Sequence, residues 1–295
     1  MQKQHKGGGA VIVLCSILIL LGLVVLIVSP IAGAVAVLCG IAGIIYGVKA
    51  KKRYKAELEA EEAKRAADEA AMKEAAARRA EKAKAFAAEV AAIPRVEVVQ
   101  AEEFAKRRKE KYYPKLTNII KTTDIQKLFP LVVVDVETTG LKPQGNDIIE
   151  VSAIKYGSSF VPESCFTTLC KPRNPIPSEA SKINHITDEM VEAAPPFSLI
   201  AADLSEYMKG CNVVGQNVEF DTDFLYTCGV ELPETKYFDT CQLARYTLKD
   251  MVNYKLQTLC SHYGIYRDDA HRSLSDAYAT ALVFENLIRD KRALN

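Results

Sequence analysis

The chain has 295 residues, 49% of them hydrophobic, and its 38 Lys and Arg nearly balance 37 Asp and Glu, for a net charge of +1. That balance hides two opposite halves, because residues 1–123 carry 22 basic and 13 acidic side chains and residues 124–295 carry 16 and 24. The eight cysteines form no Cys-x-x-Cys pair and no spacing that reads as a zinc site, and the plain reading is a reduced compartment with scattered buried thiols, none of them placed as a nucleophile.

Residues 10–28 are apolar apart from Cys15, Ser16 and Gly22, and after Ser29-Pro30 a second uncharged run extends from Ile31 to Val48. As helices, runs of this length reach about 27–29 Å, close to the roughly 30 Å of bilayer hydrocarbon. Two spans joined by a tight turn form a hairpin. A signal peptide has a shorter apolar region and no second run directly behind it. Lys3 and Lys6 precede the hairpin, and Lys49, Lys51, Lys52, Arg53 and Lys55 follow it. The expectation is a multi-pass membrane anchor, residues 1–50, with both termini and everything downstream cytoplasmic.

Residues 51–93 are rich in Ala, Glu, Lys and Arg, without Pro or Gly. They predict one long helical stalk, ended by Pro94. Leu58, Met72 and Phe86 recur every fourteen residues, but Arg65 and Arg79 fill the intervening heptad positions. A solvated stalk or weak self-association is therefore expected rather than a strong coiled coil. Residues 94–127 read as a basic linker; its Phe104–Lys115 stretch interleaves aromatics with positive charge. That stretch suits either a nucleic-acid or lipid-phosphate grip or a plain solvated face.

From residue 128 the pattern changes. Leu131–Val136, Ile148–Tyr156 and Ser164–Cys170 predict successive strands. Helical patterns around Ser198–Met208, Phe224, Cys241–Leu248, Leu256–Tyr263 and Ser275–Arg289 alternate with strands near Val213 and Tyr237. The fold class is α/β, a central mixed sheet flanked by helices. The first strand delivers Asp135 and Glu137, two residues apart and so on one face, into a Thr138-Thr139-Gly140-Leu141 turn. Solvated acids are the ordinary reading of Asp-x-Glu, but Leu131–Val134 is continuously apolar, as in a strand covered on both sides. Adjacent, desolvated carboxylates need positive charge, and a divalent ion supplies it. Asp221 follows the Val213-Val214-Gly215-Gln216-Asn217 stretch, where it would open a helix containing Phe224 and Leu225; alone it would be read as a cap. His271 stands just before a last helix that carries Asp276.

These three segments resemble the motifs of the DEDDh, or DnaQ-like, 3′-to-5′ exonucleases, the class that includes the epsilon subunit of bacterial DNA polymerase III. The resemblance covers roughly residues 128–292 of an expected 128–295 exonuclease domain, with weaker echoes at Ile183–Thr187, Tyr237–Thr240 and Lys255–Leu259. Gln216 stands where many relatives carry His, and Asn184-His185 where many carry His-Gly. The resemblance implies a ribonuclease H-like fold with the catalytic carboxylates gathered at one edge of the sheet. It implies that Thr138, Thr139, Gly140 and Leu141 wrap the terminal nucleotide. His262 is expected to be structural and His185 a loop residue.

The chemistry follows from the residues themselves. A phosphodiester is anionic and resists hydroxide, and two Mg²⁺ or Mn²⁺ ions about 3.5–4 Å apart overcome this for in-line displacement. Asp135, Glu137, Asp221 and Asp276 offer the hard oxygen ligands, and His271 the general base. The expected substrate is the 3′ end of single-stranded DNA or RNA, and the product a nucleoside 5′-monophosphate. The rival is a non-catalytic nucleic-acid-binding or scaffold protein on the same fold; a degenerate copy would have lost one of the five residues. A homodimer through hairpin or stalk, and a polymerase or other replication or repair partner, are also compatible with the sequence.

Overall fold

A computed structural model describes residues 5–25, 30–98, 107–116, 125–267 and 271–293. The chain divides into two compact units, residues 1–78 and 79–295.

The first unit contains α1 (His5–Val25) and most of α2 (Pro30–Ala91). Pro30 is the first residue of α2, the position where its missing N–H costs nothing; the turn expected at 26–29 lies outside the described residues. Gly40 and Gly43 on α2 face Ile19 and Cys15 on α1 so closely that a Cβ at either position would collide with them. Small residues permit this approach between apolar helices. Ser16 donates its hydroxyl to the Ile12 carbonyl at 2.9 Å, satisfying a polar group within an apolar helix. By length and composition α2 contains one stretch apolar enough to cross a membrane, starting at Ala34, and Ile12–Leu21 is a shorter apolar segment. Farther along α2, Lys55–Glu59, Lys73–Glu69 and Arg78–Glu74 pair at i,i+4 spacing.

In the second unit a five-stranded sheet has the order β3-β2-β1-β4-β5, built from β1 (Leu131–Thr138), β2 (Ile148–Tyr156), β3 (Ser164–Leu169), β4 (Asn212–Gly215) and β5 (Tyr237–Asp239). The first three strands are antiparallel, and β4 and β5 join parallel to β1 and to each other. Between β3 and β4 come α3 (Ser178–Asn184), α4 (Asp188–Val191) and α5 (Ala201–Met208); α6 (Val218–Thr227) follows β4, and α7 (Thr240–Thr247), α8 (Leu256–Tyr263) and α9 (Ser273–Ala293) complete the fold. This is the mixed sheet flanked by helices that the pattern predicts.

Alternation along β1 sorts the core. Leu131 and Val133 join Phe284, Leu287 and Leu259 on the α8–α9 side. Val132, Val134 and Val136 join Phe224, Leu225 and Leu204 on the α5–α6 side. Asp135 and Glu137 continue the first series and so face α9 at the C-terminal end of the central strand. The carboxylates were expected at an edge of the sheet; they lie at the end of its middle strand, because β4 and β5 extend the sheet beyond β1.

The core also reaches upstream of residue 128. Phe86 and Ile93 are buried in the α9-side cluster, and Val90 packs against it. Phe86, expected on a solvated stalk, lies 5.6 Å from the Tyr278 ring, whereas Leu58 and Met72 are exposed. Helix α2 stops at Ala91, three residues before Pro94. Both sheet edges are covered by upstream chain. Val96 N–H donates to Cys165 O and Cys165 N–H to Pro94 O beside β3, and Leu116 bridges Tyr237 of β5.

Residues 107–116 are anchored to the domain at Arg107, Arg108, Tyr112, Pro114 and Leu116, while Lys109, Glu110, Lys111, Tyr113 and Lys115 are exposed. Tyr112 stacks on Tyr226 at 5.0 Å and donates its amide to Asp223 Oδ1 at 3.2 Å. Arg108 pairs with Glu231 and sits over the Tyr226 ring. Phe104–Lys106 of the basic stretch lie outside the described residues.

Candidate active site

Three distant segments meet at the end of β1. The β1–β2 register pairs Glu137 with Glu150 and Asp135 with Ser152, placing all four side chains on the α9 face. The N-terminal end of α9 is pinned there from below. Glu150, buried, accepts from Arg272 Nη2 at 2.7 Å, from Arg272 Nε at 3.2 Å and from Ser273 N–H at 2.8 Å. Ser152 and Ser273 share a 2.7 Å hydroxyl contact. This anchoring sets His271 and Asp276 above Glu137: one ligand atom from each of Glu137, His271 and Asp276 lies within 4.8 Å of the others.

Asp221 arrives from the opposite face of the sheet. Helix α6 begins three residues earlier than the sequence suggests, at Val218, because Asn217 takes the left-handed conformation at its N-cap with φ of 59°. Asn tolerates that region better than most residues. Asp221 is therefore not a cap but a buried first-turn residue. The β1–β4 ladder ends at Val133–Val214, and beyond it Asp221 Oδ1 accepts the Val136 amide, between Asp135 and Glu137, at 3.0 Å.

The electrostatics match this crowding. Burial, then the charges of Asp221, Asp276, Glu137 and Glu150, hold the Asp135 pKa well above the ordinary carboxylate range. Burial, with Asp276 and Glu150, pushes Glu137 up to about 8, opposed by a hydrogen bond from Asn184 and by Arg272. Asp221 is raised by burial against the Val136 hydrogen bond. Asp276 is raised by burial to about 6 despite Arg267 and the His271 amide. Burial lowers the His271 pKa, helped by Arg267 and His185, which favours the neutral imidazole that can accept a proton.

Two buried acids, Asp221 and Asp276, and two half-buried ones, Asp135 and Glu137, that resist ionisation together are a donor set suited to divalent cations, since bound positive charge restores the ionised form of each. Asp276 Oδ1 is buried and accepts no well-aligned hydrogen bond, its nearest positive group being the Arg267 guanidinium. Those four residues fit the metal site read from the sequence.

The turn residues have their own network. Thr138 Oγ1 donates to Gly140 O at 2.8 Å. Thr139 N–H donates to Asp147 O, and Asp147 N–H to Thr139 Oγ1, both at 2.9 Å. Gly140 packs so closely on Asn146 that a Cβ would collide. Leu141, 85% exposed, projects from the turn.

Sequence reasoning missed several residues of this site. Asn184 is buried; its Oδ1 accepts the Ile186 amide at 3.1 Å while its amide group serves Glu137. Glu150 shows in sequence only as an acid inside the apolar Ile148–Tyr156 run, an oddity that could have flagged it. Arg267 Nη1 lies 3.0 Å from Asp276 Oδ1, and both side chains are almost fully buried. Gln216 is structural, donating to Tyr254 O at 2.8 Å and accepting from Thr240 at 2.5 Å. His185 ends α3 in the left-handed region, and His262 meets Tyr263 edge-on. The buried thiols are inert by burial, Cys228 and Cys260 being pushed up to about 11.

Comparison with known proteins agrees. The family model described as exonuclease (RNase T) matches residues 132–284. The 3′-5′ exonuclease DinG of Bacillus subtilis is 32% identical over 168 residues, 55% of this chain and 18% of that protein. A PolC-type DNA polymerase III of Caldanaerobacter subterraneus is 34% identical over 160 residues, 53% of this chain and 11% of that protein. The matching segment is thus a small part of these two relatives. The DNA polymerase III epsilon subunit of Treponema pallidum is 35% identical over 160 residues, covering 52% of this chain and 74% of that protein. Among solved structures, exonuclease X in complex with 5′-overhanging duplex DNA aligns with a TM-score of 0.44 at 23% identity, covering 54% of this chain and 91% of that one. With the match spanning over half its length, this chain belongs to the exonuclease (RNase T) family, of DnaQ-like type with a ribonuclease H-like fold, and its second unit is a nuclease domain.

Proposed function

We propose that this protein is a metal-dependent 3′-to-5′ exonuclease that hydrolyses single-stranded DNA or RNA ends to nucleoside 5′-monophosphates while tethered to a membrane by its N-terminal hairpin. The observation that carries the reading is the convergence of Asp135, Glu137, Asp221, His271 and Asp276 at the end of β1 (three of them within 4.8 Å), with the carboxylate pKa values raised first by burial and then by neighbouring acids.

In this reading Asp135, Glu137, Asp221 and Asp276 hold two Mg²⁺ or Mn²⁺ ions. When bound, these supply charge neutralisation of the phosphodiester, activation of water and stabilisation of the leaving 3′ oxygen. His271, neutral near physiological pH, takes the proton of the attacking water as general base. Glu150 and Arg272 hold the start of α9 so that His271 and Asp276 stay over Glu137, and Asn184 orients the Glu137 carboxylate. Thr138–Leu141 receive the terminal nucleotide, with exposed Leu141 available to its base. The apolar runs and their flanking lysines support a cytoplasmic nuclease on a two-span anchor.

The test is hydrolysis of matched 3′- and 5′-labelled single-stranded DNA and RNA by the detergent-solubilised full chain, with Mg²⁺, Mn²⁺ or EDTA. Metal-dependent release of mononucleotides from the 3′ end is expected and identifies the preferred sugar. A folded chain that cleaves nothing overturns the proposal in favour of a non-catalytic nucleic-acid-binding protein.

A further inference from the structure

The basic stretch before the nuclease domain has no place in the chemistry above, yet Arg107 makes three hydrogen bonds to a single loop. Its guanidinium donates from Nη1 to Pro143 O at 3.2 Å, and from Nη2 to Asn146 O at 2.8 Å and Asp147 Oδ1 at 2.5 Å. All three acceptors belong to the loop that leaves β1 at Thr138 and returns to β2 at Ile148. Asp147 is nearly buried and is held from its other side by Arg173, through the backbone amide at 3.1 Å and Nε at 2.9 Å. Asp147 in turn exchanges two hydrogen bonds with Thr139, and Asn146 supports Gly140 while donating to Lys142 O at 2.8 Å. The far side of the loop is thus fixed to the near side, which carries Thr138–Leu141. Arg107 itself is fixed by its neighbours: Arg108 N–H donates to Thr227 O at 2.7 Å, and Tyr112 stacks on Tyr226.

We propose that Arg107 is a positioning residue for nucleic-acid binding, a strap that holds the Thr138–Asp147 loop in the shape that receives the terminal nucleotide. The inference rests on the assignment of Thr138–Leu141 to the substrate under the exonuclease reading. It gives part of the basic stretch a role other than gripping phosphates: the positive charge of Arg107 is consumed by Asp147 and two carbonyls. A planar fork is required because three acceptors in different directions must be met by one group, which an ammonium point charge does less well.

The experiment compares Arg107→Ala, Arg107→Lys and, as a control with the same charge loss, Lys109→Ala, whose side chain is exposed. All are made in the full-length chain. Steady-state hydrolysis of a single-stranded substrate is read alongside hydrogen exchange of residues 139–147. Arg107→Ala is expected to raise KM about tenfold with kcat nearly unchanged, the signature of lost binding rather than lost chemistry. It should also speed exchange at the Thr139 and Asp147 amides, with Arg107→Lys intermediate in both and Lys109→Ala like wild type. Unchanged KM and exchange in Arg107→Ala overturn the proposal. So does an equal rise in KM for Lys109→Ala, with equal loss of salt dependence, because that pattern belongs to general attraction of a polyanion. If the wild-type chain hydrolyses nothing, the exonuclease reading fails, and hydrogen exchange alone then decides whether Arg107 holds the loop.

Discussion

Two groups of buried and half-buried acids in the nuclease domain are treated in opposite ways. Glu150 and Asp147 are each given arginine: Glu150 takes Arg272 and a backbone amide, and Asp147 takes Arg107 and Arg173. Asp135 and Asp221 form no ion pair among the described residues, and Glu137 is served by an amide side chain. The paired acids hold architecture together, while the unpaired ones, raised by burial and by one another, are left for a charge the chain does not itself provide. Asp276 stands between the groups, ligand-like in position yet touched by Arg267.

Substitutions that neutralise each group should therefore separate function from stability. The largest effect is expected on activity: Asp135→Asn or Asp221→Asn reduces turnover below detection while the metal-free protein melts no lower than wild type, since each removes like charge from a crowded site. A lowered metal-free melting temperature would place these residues with the paired group. His271→Ala should lose roughly 10²- to 10⁴-fold in kcat, the range of a general base, with Mn²⁺ affinity retained in a direct titration. Full activity would mean that another group takes the proton.

The paired group predicts the converse. Glu150→Gln leaves the Arg272 charge, partly open to solvent, beside a neutral partner, and loss of a charge-assisted hydrogen bond costs about 1.5–3 kcal/mol. Denaturant unfolding should show that loss directly, and an unchanged midpoint would make Glu150 a member of the unpaired group.

A smaller effect sharpens the same contrast through pH. Unfolded carboxylates of Glu137 and Asp276 ionise near 4.5 and 3.8, but in the folded, metal-free protein they do so near 8 and 6. The stability these two groups contribute is complete below about pH 4 and is lost as pH rises through 6 and then 8. Thermal unfolding in EDTA should accordingly lose stability across that interval relative to an Asp276→Asn, Glu137→Gln variant, and Mg²⁺ or Mn²⁺ should restore it most at the alkaline end. A flat difference between the two proteins would show that neither carboxylate is raised.

Much of this was legible in the sequence because burial on both faces of β1 demands an unbroken apolar run, against which Asp135 and Glu137 stand out. The long-range pairs were not. Nothing local ties Arg107 to Asp147 or Arg272 to Glu150; only the β1–β2 register brings those segments together. Asp221 was read as a metal ligand but placed at the opening of its helix, because a helix start is inferred from polar residues, whereas α6 begins at Val218 after a left-handed Asn217 that a side-chain pattern does not announce. Phe86 was assigned to the stalk for its fourteen-residue spacing from Met72, although Ala83, Phe86, Val90 and Ile93 carry a second, three-and-four spacing that marks the buried stripe of a helix end. The predicted helix was right and its partner was hidden.

The central claim is that the unpaired acids await divalent cations. Its most direct test is calorimetric titration of the metal-free full-length chain with Mn²⁺ near pH 7, in buffers of differing ionisation enthalpy. The account predicts saturable binding accompanied by proton release, both strongly diminished in Asp135→Asn. Absence of binding, or binding with no proton release and no sensitivity to Asp135, would contradict it.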